Sequence, residues 1–188
     1  MGVTWIDKDL GLKAIERELR RLAKTTVTAG VHGTGELGKD DKGQSVQVQQ
    51  HLAGSPGSEP IDMPLLASIH EFGTDTIPER SFVRSGVDQG NKRIAKAYDK
   101  GVERICAGTG TAKNAGELLG VVAVGAIKMR IFDGIAPELA PATKKRRDKS
   151  KLTGKRLKSG NAEQTGYTPL LDSGQLAGSI AYQVEGVR

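Results

Sequence analysis

The chemistry-bearing residues of this 188-residue chain are few, and each lacks a companion that its chemistry requires. Gly33-Thr34-Gly35-Glu36-Leu37-Gly38-Lys39 satisfies G-x-G-x-x-G and the G-x-x-x-x-G-K portion of a phosphate loop. A phosphate loop continues into Ser or Thr to hold magnesium and into a helix whose N-terminus faces the anion. Here Asp40 and Asp41 follow, within a polar stretch rich in helix breakers, so the segment reads as a turn. His70-Glu71 opens like the H-E-x-x-H helix of zinc proteases, but position 74 is Thr, and neither His32 nor His51 has a second histidine or cysteine one helical turn away. Cys106 is the only cysteine, which excludes an internal disulfide framework and any multi-cysteine metal site. As a nucleophile it would need a base that the sequence does not supply. Ser173 and Ser179 lack a G-x-S-x-G setting. The residues therefore specify no enzyme, no metal and no cofactor.

Charge is the second feature with functional content. The chain carries a net +6 at pH 7, but Lys144, Lys145, Arg146, Arg147, Lys149, Lys151, Lys155, Arg156 and Lys158, with Asp148 the single acid among them, place +8 between Thr143 and Gly160. The remainder is slightly acidic. Such a block can neutralise phosphates by displacing counterions, or dock on an acidic protein surface. No aromatic residue is interleaved to stack on bases, so any nucleic-acid contact would be with the backbone. Residues 143–168 read as a basic loop.

The elements that would position these groups follow from periodicity. Leu12, Ile15, Leu19 and Leu22 recur at helical spacing after Asp9, a candidate N-cap, with Glu16 and Arg20 paired on the other side. Thr25–His32 alternates and is β-branched, predicting a strand. Gly33–Pro60 is polar and Gly-rich, with a short alternating piece at Ser45–Gln49, and reads as an extended arm or hairpin. Pro64–Phe72 predicts a helix stopped by Gly73. Asp88–Ile105 predicts another, with Ile94, Tyr98, Val102 and Ile105 as its apolar stripe.

A third helix is predicted over Ala112–Phe132. Ala115, Leu119, Val122, Ala126 and Met129 form one of its faces, and Val121, Val124 and Ile131 populate others. A helix apolar on several sides must be covered on several sides, and Gly116, Gly120 and Gly125 would admit another backbone closely. Ser179–Val187 alternates as a final strand. The expectation is a single α+β domain over residues 1–188, with a small antiparallel sheet packed against two or three long helices and extended arms. The N-terminal residues lack an apolar signal core, and the longest apolar run, Leu118–Ile127, is about half of the ~20 residues of a membrane span, so no membrane partner is expected.

The segment from His70 to Arg84 contains two of the three phenylalanines, Phe72 and Phe82, on either side of a turn marked by Gly73 and Pro78. They read as two anchors packing a loop onto the core. Glu71, Glu79, Arg80 and Arg84 bracket them, and an arginine fork to Glu71 would fix the turn.

In this segment, His70-Glu71-Phe72-Gly73-Thr74 followed by Ile77-Pro78-Glu79-Arg80-Ser81-Phe82-Val83-Arg84, the sequence resembles the tail-completion or neck proteins of tailed bacteriophages, a group that includes minor tail protein Z and virion-morphogenesis families. Two later blocks follow in the same order: Pro137-Glu138-Leu139-Ala140-Pro141-Ala142-Thr143-Lys144-Lys145-Arg146, and Leu170 through Ile180, continued by Tyr182 and Val184. An early strand, Val27–Gly33, is also similar. Ser173 stands where the family pattern has Thr, and Ala177 where it has Arg.

The resemblance implies a non-enzymatic virion protein, made in the bacterial cytoplasm and located in the neck or proximal tail. It would join head to tail as a hexameric or dodecameric ring of its own copies around the DNA channel. Its partners would be connector, tail-terminator or tail-tube proteins and the backbone of packaged DNA. The motif and interface positions carried over are Glu71, Phe72, Gly73, Pro78, Arg80, Phe82, Arg84, Asp172, Gly174, Leu176 and Ile180. A sequence-nonspecific nucleic-acid-binding protein acting through residues 144–158 is the alternative.

Overall fold

The computed structural model describes residues 11–32, 38–39, 45–46, 63–152, 168–171 and 174–186, with side chains at all of these except 38–39, 45–46, 146 and 148–152. In chain order the elements are α1 (Leu12–Leu22), β1 (Thr26–Val31), β2 (Gly38–Lys39), β3 (Ser45–Val46), α2 (Met63–Phe72), α3 (Val83–Cys106), α4 (Ala112–Phe132), α5 (Pro141–Leu152), α6 (Gln175–Gly178) and β4 (Ile180–Glu185). The architecture is α+β, as the periodicities predict. The sheet is antiparallel with order β1-β4-β2-β3, and its body is the six-residue β1–β4 pair, in register from Thr26 opposite Glu185 to Val31 opposite Ile180.

Helix α4 is the centre of the molecule because it is apolar on two sides and is covered on both. One side meets α3 along small residues. A Cβ on Gly86 would lie 2.9 Å from the Ile127 Cα, one on Gly90 2.5 Å from the Ala126 Cβ, and one on Gly101 2.8 Å from the Ala115 Cβ. The pairing order makes the two helices antiparallel and in close backbone contact. The other side of α4 meets the sheet: Gly116 lies under Val184 and Gly120 under the Tyr182 ring. Phe82, Val124, Ile127, Ile131 and Ile180 are wholly buried between these layers, joined by Leu171, Leu176 and Tyr182.

Several expectations need correction. The buried seam of α3 is Gly86, Gly90, Ala97, Gly101 and Ile105, whereas Ile94 and Val102 are half-buried and Tyr98 is exposed. Glycines carry no apolar side chain, so a search for a hydrophobic stripe passes over the face that packs most closely. On α4, Met129 is exposed, Leu119 and Val122 are half-buried, and Gly125 has no atom within 4 Å of where a Cβ would sit. α3 begins at Val83 rather than Asp88.

The first third of the expected basic loop is helical, as α5, because Pro141 opens a run of good helix formers. The N-cap position of α1 is Gly11; Asp9 lies outside the described residues, as does most of the 33–60 arm. The Glu16–Arg20 pair forms, at 2.6 Å. No helix among the described residues is long and apolar enough to cross a membrane.

Candidate functional site

The turn between α2 and α3 is organised by one carboxylate. Glu71, in the last turn of α2, is 5% exposed and reaches the first turn of α3, where the backbone N–H groups have no partner within their own helix. Phe82 N–H and Val83 N–H donate to its Oε2 at 2.7 and 2.9 Å. Oε1 accepts from Arg84 N–H at 3.1 Å, the Ser81 hydroxyl at 2.9 Å and Arg84 Nε at 3.0 Å. A side chain from one helix thus caps the next, which is why α3 starts before any local cap signal.

Burial pushes the Glu71 carboxyl up, but the Val83 and Arg84 amides, the Arg84 guanidinium and the Ser81 hydroxyl outweigh it, and its pKa falls below the ordinary glutamate value. Five donors occupy an acceptor with about four lone-pair sites, so this carboxylate is held ionised as an acceptor. Gly73 makes the turn possible: its φ is +75°, and a Cβ there would strike Glu79 N at 2.8 Å.

The arginine expected to clasp Glu71 is Arg84. Its Nη2 also donates to the Glu71 carbonyl at 3.1 Å and to Glu79 Oε1 at 2.7 Å. The two phenylalanines are not the matched pair of anchors expected from their spacing. Phe82 is wholly buried, but Phe72 is 65% exposed and instead carries the Arg84 guanidinium 5.0 Å over its ring.

Arg80 turns away from Glu71. It is buried, and donates through Nε to the Pro137 carbonyl at 2.9 Å and through Nη2 to the Glu138 carbonyl at 3.2 Å. Burial lowers its pKa from the usual arginine value. Its neighbour His70 is held below the ordinary histidine pKa by burial and by the Arg80 charge, and the buried His70 Nδ1 has no hydrogen-bond partner among the described residues.

The basic segment divides. Arg147 is buried, with Nη1 donating to the carbonyls of Thr168 at 3.0 Å and Leu171 at 2.9 Å. It is therefore not a surface contact for phosphate or an acidic partner, as its place in the charge run suggests. Helix α5 turns it inward with Thr143, one helical turn earlier on the same face, and that spacing is the signal a count of charges misses. Lys144 pairs with Glu138 at 2.7 Å, and Lys145 is exposed. Arg146, Lys149 and Lys151 lie on α5, their side chains outside the described set, and Lys155, Arg156 and Lys158 lie outside the described residues, as does Asp172.

These contacts bring the three sequence blocks together. Arg80 ties the 70–84 block to residues 137–138, and Arg147 ties α5 to residues 168–171. All three blocks line one open groove of about 690 Å³, whose walls include His70, Pro78, Arg80, Leu139, Arg147, Gly174 and Leu176. Gly174 precedes α6 with φ +79°; Leu176 and Ile180 are buried in the core behind it.

Two further positioning contacts were not legible beforehand. Glu18 of α1 accepts from the first amide of α4, Ala112 N–H, at 2.9 Å, and Arg130 joins Ser85 to the Gly134 carbonyl. Cys106 is exposed, and His32 meets the Ala181 carbonyl at 3.2 Å. Among the described residues no three His, Cys, Asp or Glu side chains gather as metal ligands do. The arrangement positions backbone segments; its charged groups are engaged with one another and with carbonyls. No protein-family model, curated protein or solved structure matches the chain.

Proposed function

We propose that this chain is a structural virion protein of a tailed bacteriophage, completing the tail or neck and joining head to tail as a ring around the DNA channel. The ring is a hexamer, or twelve copies where it follows the symmetry of a portal. The observation that supports this reading is the convergence of the three sequence blocks. Segments far apart in the chain, each resembling the neck and tail-completion proteins, meet around one groove through Arg80 and Arg147, beside a turn fixed by Glu71. Motif residues used in this way define a shape, and a protein that works by shape works through its surfaces.

In a cyclic ring each copy presents two different complementary faces. The basic segment then has a definite role: facing the lumen it contacts DNA phosphates without reading sequence, and facing outward it meets acidic patches of adjoining proteins. The exposed Lys145 belongs to that surface and Arg147 does not.

The test is native mass measurement with imaging of the purified chain, alone and with neck partners. A closed ring of six or twelve copies is expected; monomers under both conditions refute the reading. Salt-sensitive DNA affinity of a monomeric chain at physiological ionic strength would favour the nucleic-acid-binding alternative, which rests on the concentration of basic residues in 144–158.

A further inference from the structure

Among the described residues the sheet ends in two edges with no further strand on them. On one side lies β1, whose six residues pair with β4 along one edge only. Among the described residues no hydrogen bond closes on its other edge. Thr26 and Thr28 are exposed, and the sequence Thr25–Val31 contains no charged residue and no proline. Soluble proteins blunt such edges with lysines, prolines or bulges, and an unblunted one is a template for another strand. On the other side lies β3, paired among the described residues with β2 alone.

Each neighbouring pair in the order β1-β4-β2-β3 is antiparallel, so β1 and β3 run in opposite directions. A second copy placed alongside without reversing its strands brings its β1 against the first copy's β3 in the antiparallel sense that every pair in the sheet already has.

We propose that β1 of one copy pairs with β3 of the next, so that the sheets of neighbouring subunits join edge to edge. The occupant of the open β1 edge is a second copy of this chain. Two different edges meet, so the contact is heterologous, and a heterologous contact closes into a ring when its rotation permits. The inference rests on the ring reading and adds to it the surface that joins the copies.

The test uses the full-length chain with Cys106→Ser as background and four double variants, Thr26→Cys or Thr28→Cys combined with Ser45→Cys or Val46→Cys, together with the four single variants. Within one chain β1 and β3 are separated by three strand spacings, about 14 Å, beyond the ~7 Å Cα limit of a disulfide. Directly opposed residues on paired strands lie within that limit, so a cross-link must join two copies.

Under mild oxidation at least one double variant is expected to give a ladder of covalent oligomers ending at the native ring mass, while single variants stay uncross-linked. A native ring in which no pair cross-links overturns the edge pairing and leaves the ring standing. Dimers formed by the Thr26→Cys or Thr28→Cys single variant overturn it in favour of two-fold β1–β1 pairing. Monomers throughout, with no cross-link, refute the ring and this contact together.

Discussion

Removing the Glu71 carboxylate should be among the most destabilising single changes in this protein. In Glu71→Ala, the amides of Phe82, Val83 and Arg84 lose their acceptor at the start of α3. Loss of an ordinary N-cap costs about 1 kcal/mol, but this cap is ionised, its side chain is 7% exposed, and it serves three amides. Breaking one partner out of a buried charged network costs about 3–5 kcal/mol. The Arg84 side chain, 54% exposed, adds no more than ~1 kcal/mol through its ion pair, so the backbone amides carry most of the loss.

With a urea m-value of about 2 kcal/mol/M, the midpoint should fall by roughly 2 M. Glu71→Gln keeps one oxygen for the amides and should lose about 1–3 kcal/mol. The sign with pH follows from the lowered folded-state pKa. The unfolded chain binds the Glu71 proton more readily, so this stabilisation is present above the unfolded value of about 4.3 and is lost as pH falls through the folded one. Urea titrations of wild type and both variants at pH 7, with an acid series for wild type and Glu71→Gln, measure this. Midpoints for both variants within about 0.2 M of wild type, less than ~0.5 kcal/mol at that m-value, would refute the capping argument.

Gly120→Ala drives a methyl group into the Tyr182 ring and should cost about 1–3 kcal/mol by overpacking. Gly125→Ala, at an open position of the same helix, should gain about 0.5–1 kcal/mol; paired thermal melts compare them directly. Arg147→Met strands the Thr168 and Leu171 carbonyls and should lower Tm by about 5–10 °C. Lys145→Met should leave Tm unchanged and, on the proposed reading, weaken DNA retention or tail attachment, measured on assembled particles. His70 has a depressed folded pKa, so its contribution is present above the unfolded value of about 6.5 and declines as pH falls through the folded one. His70→Gln should flatten the stability profile between pH 7 and 5, measured by urea midpoints across that range.

Helical and strand periodicity was legible wherever side chains declare it, as in Leu12 to Leu22, Thr26 to Val31, and the many-sided apolar pattern of Ala112 to Phe132. The Gly73 stop was legible from its residue type, and an arginine on Glu71 from the charges that bracket the turn, but nothing in the sequence chose Arg84 over Arg80 for that place. The remaining features failed for identifiable reasons. The cap of α3 comes from a residue eleven positions before Phe82, and no N-cap preference spans that distance. Arg80 and Arg147 are satisfied by backbone carbonyls, which every residue possesses and which leave no mark on the sequence. Apart from Ile105, the α3 seam consists of glycines and an alanine, which a hydrophobic stripe cannot register. Phe72 reads as core by type, yet it lies on the outer face of α2, where its ring is used by a guanidinium.

These failures bear on what a motif of this kind encodes. Glu71, Gly73, Arg80, Phe82 and Arg84 draw attention because charged, aromatic and glycine residues at fixed spacing look like a site, yet each is engaged within the chain. Their substitution would deform the turn before it removed a contact with any partner. On the proposed reading, the determinants of partner choice belong to the β1 edge and to the exposed Lys145 of α5. Neither has a sharp sequence signature, since an edge is read through backbone groups and a basic surface through summed charge. Variation there should redirect assembly while leaving the fold stable, and variation in the 70–84 block should do the reverse.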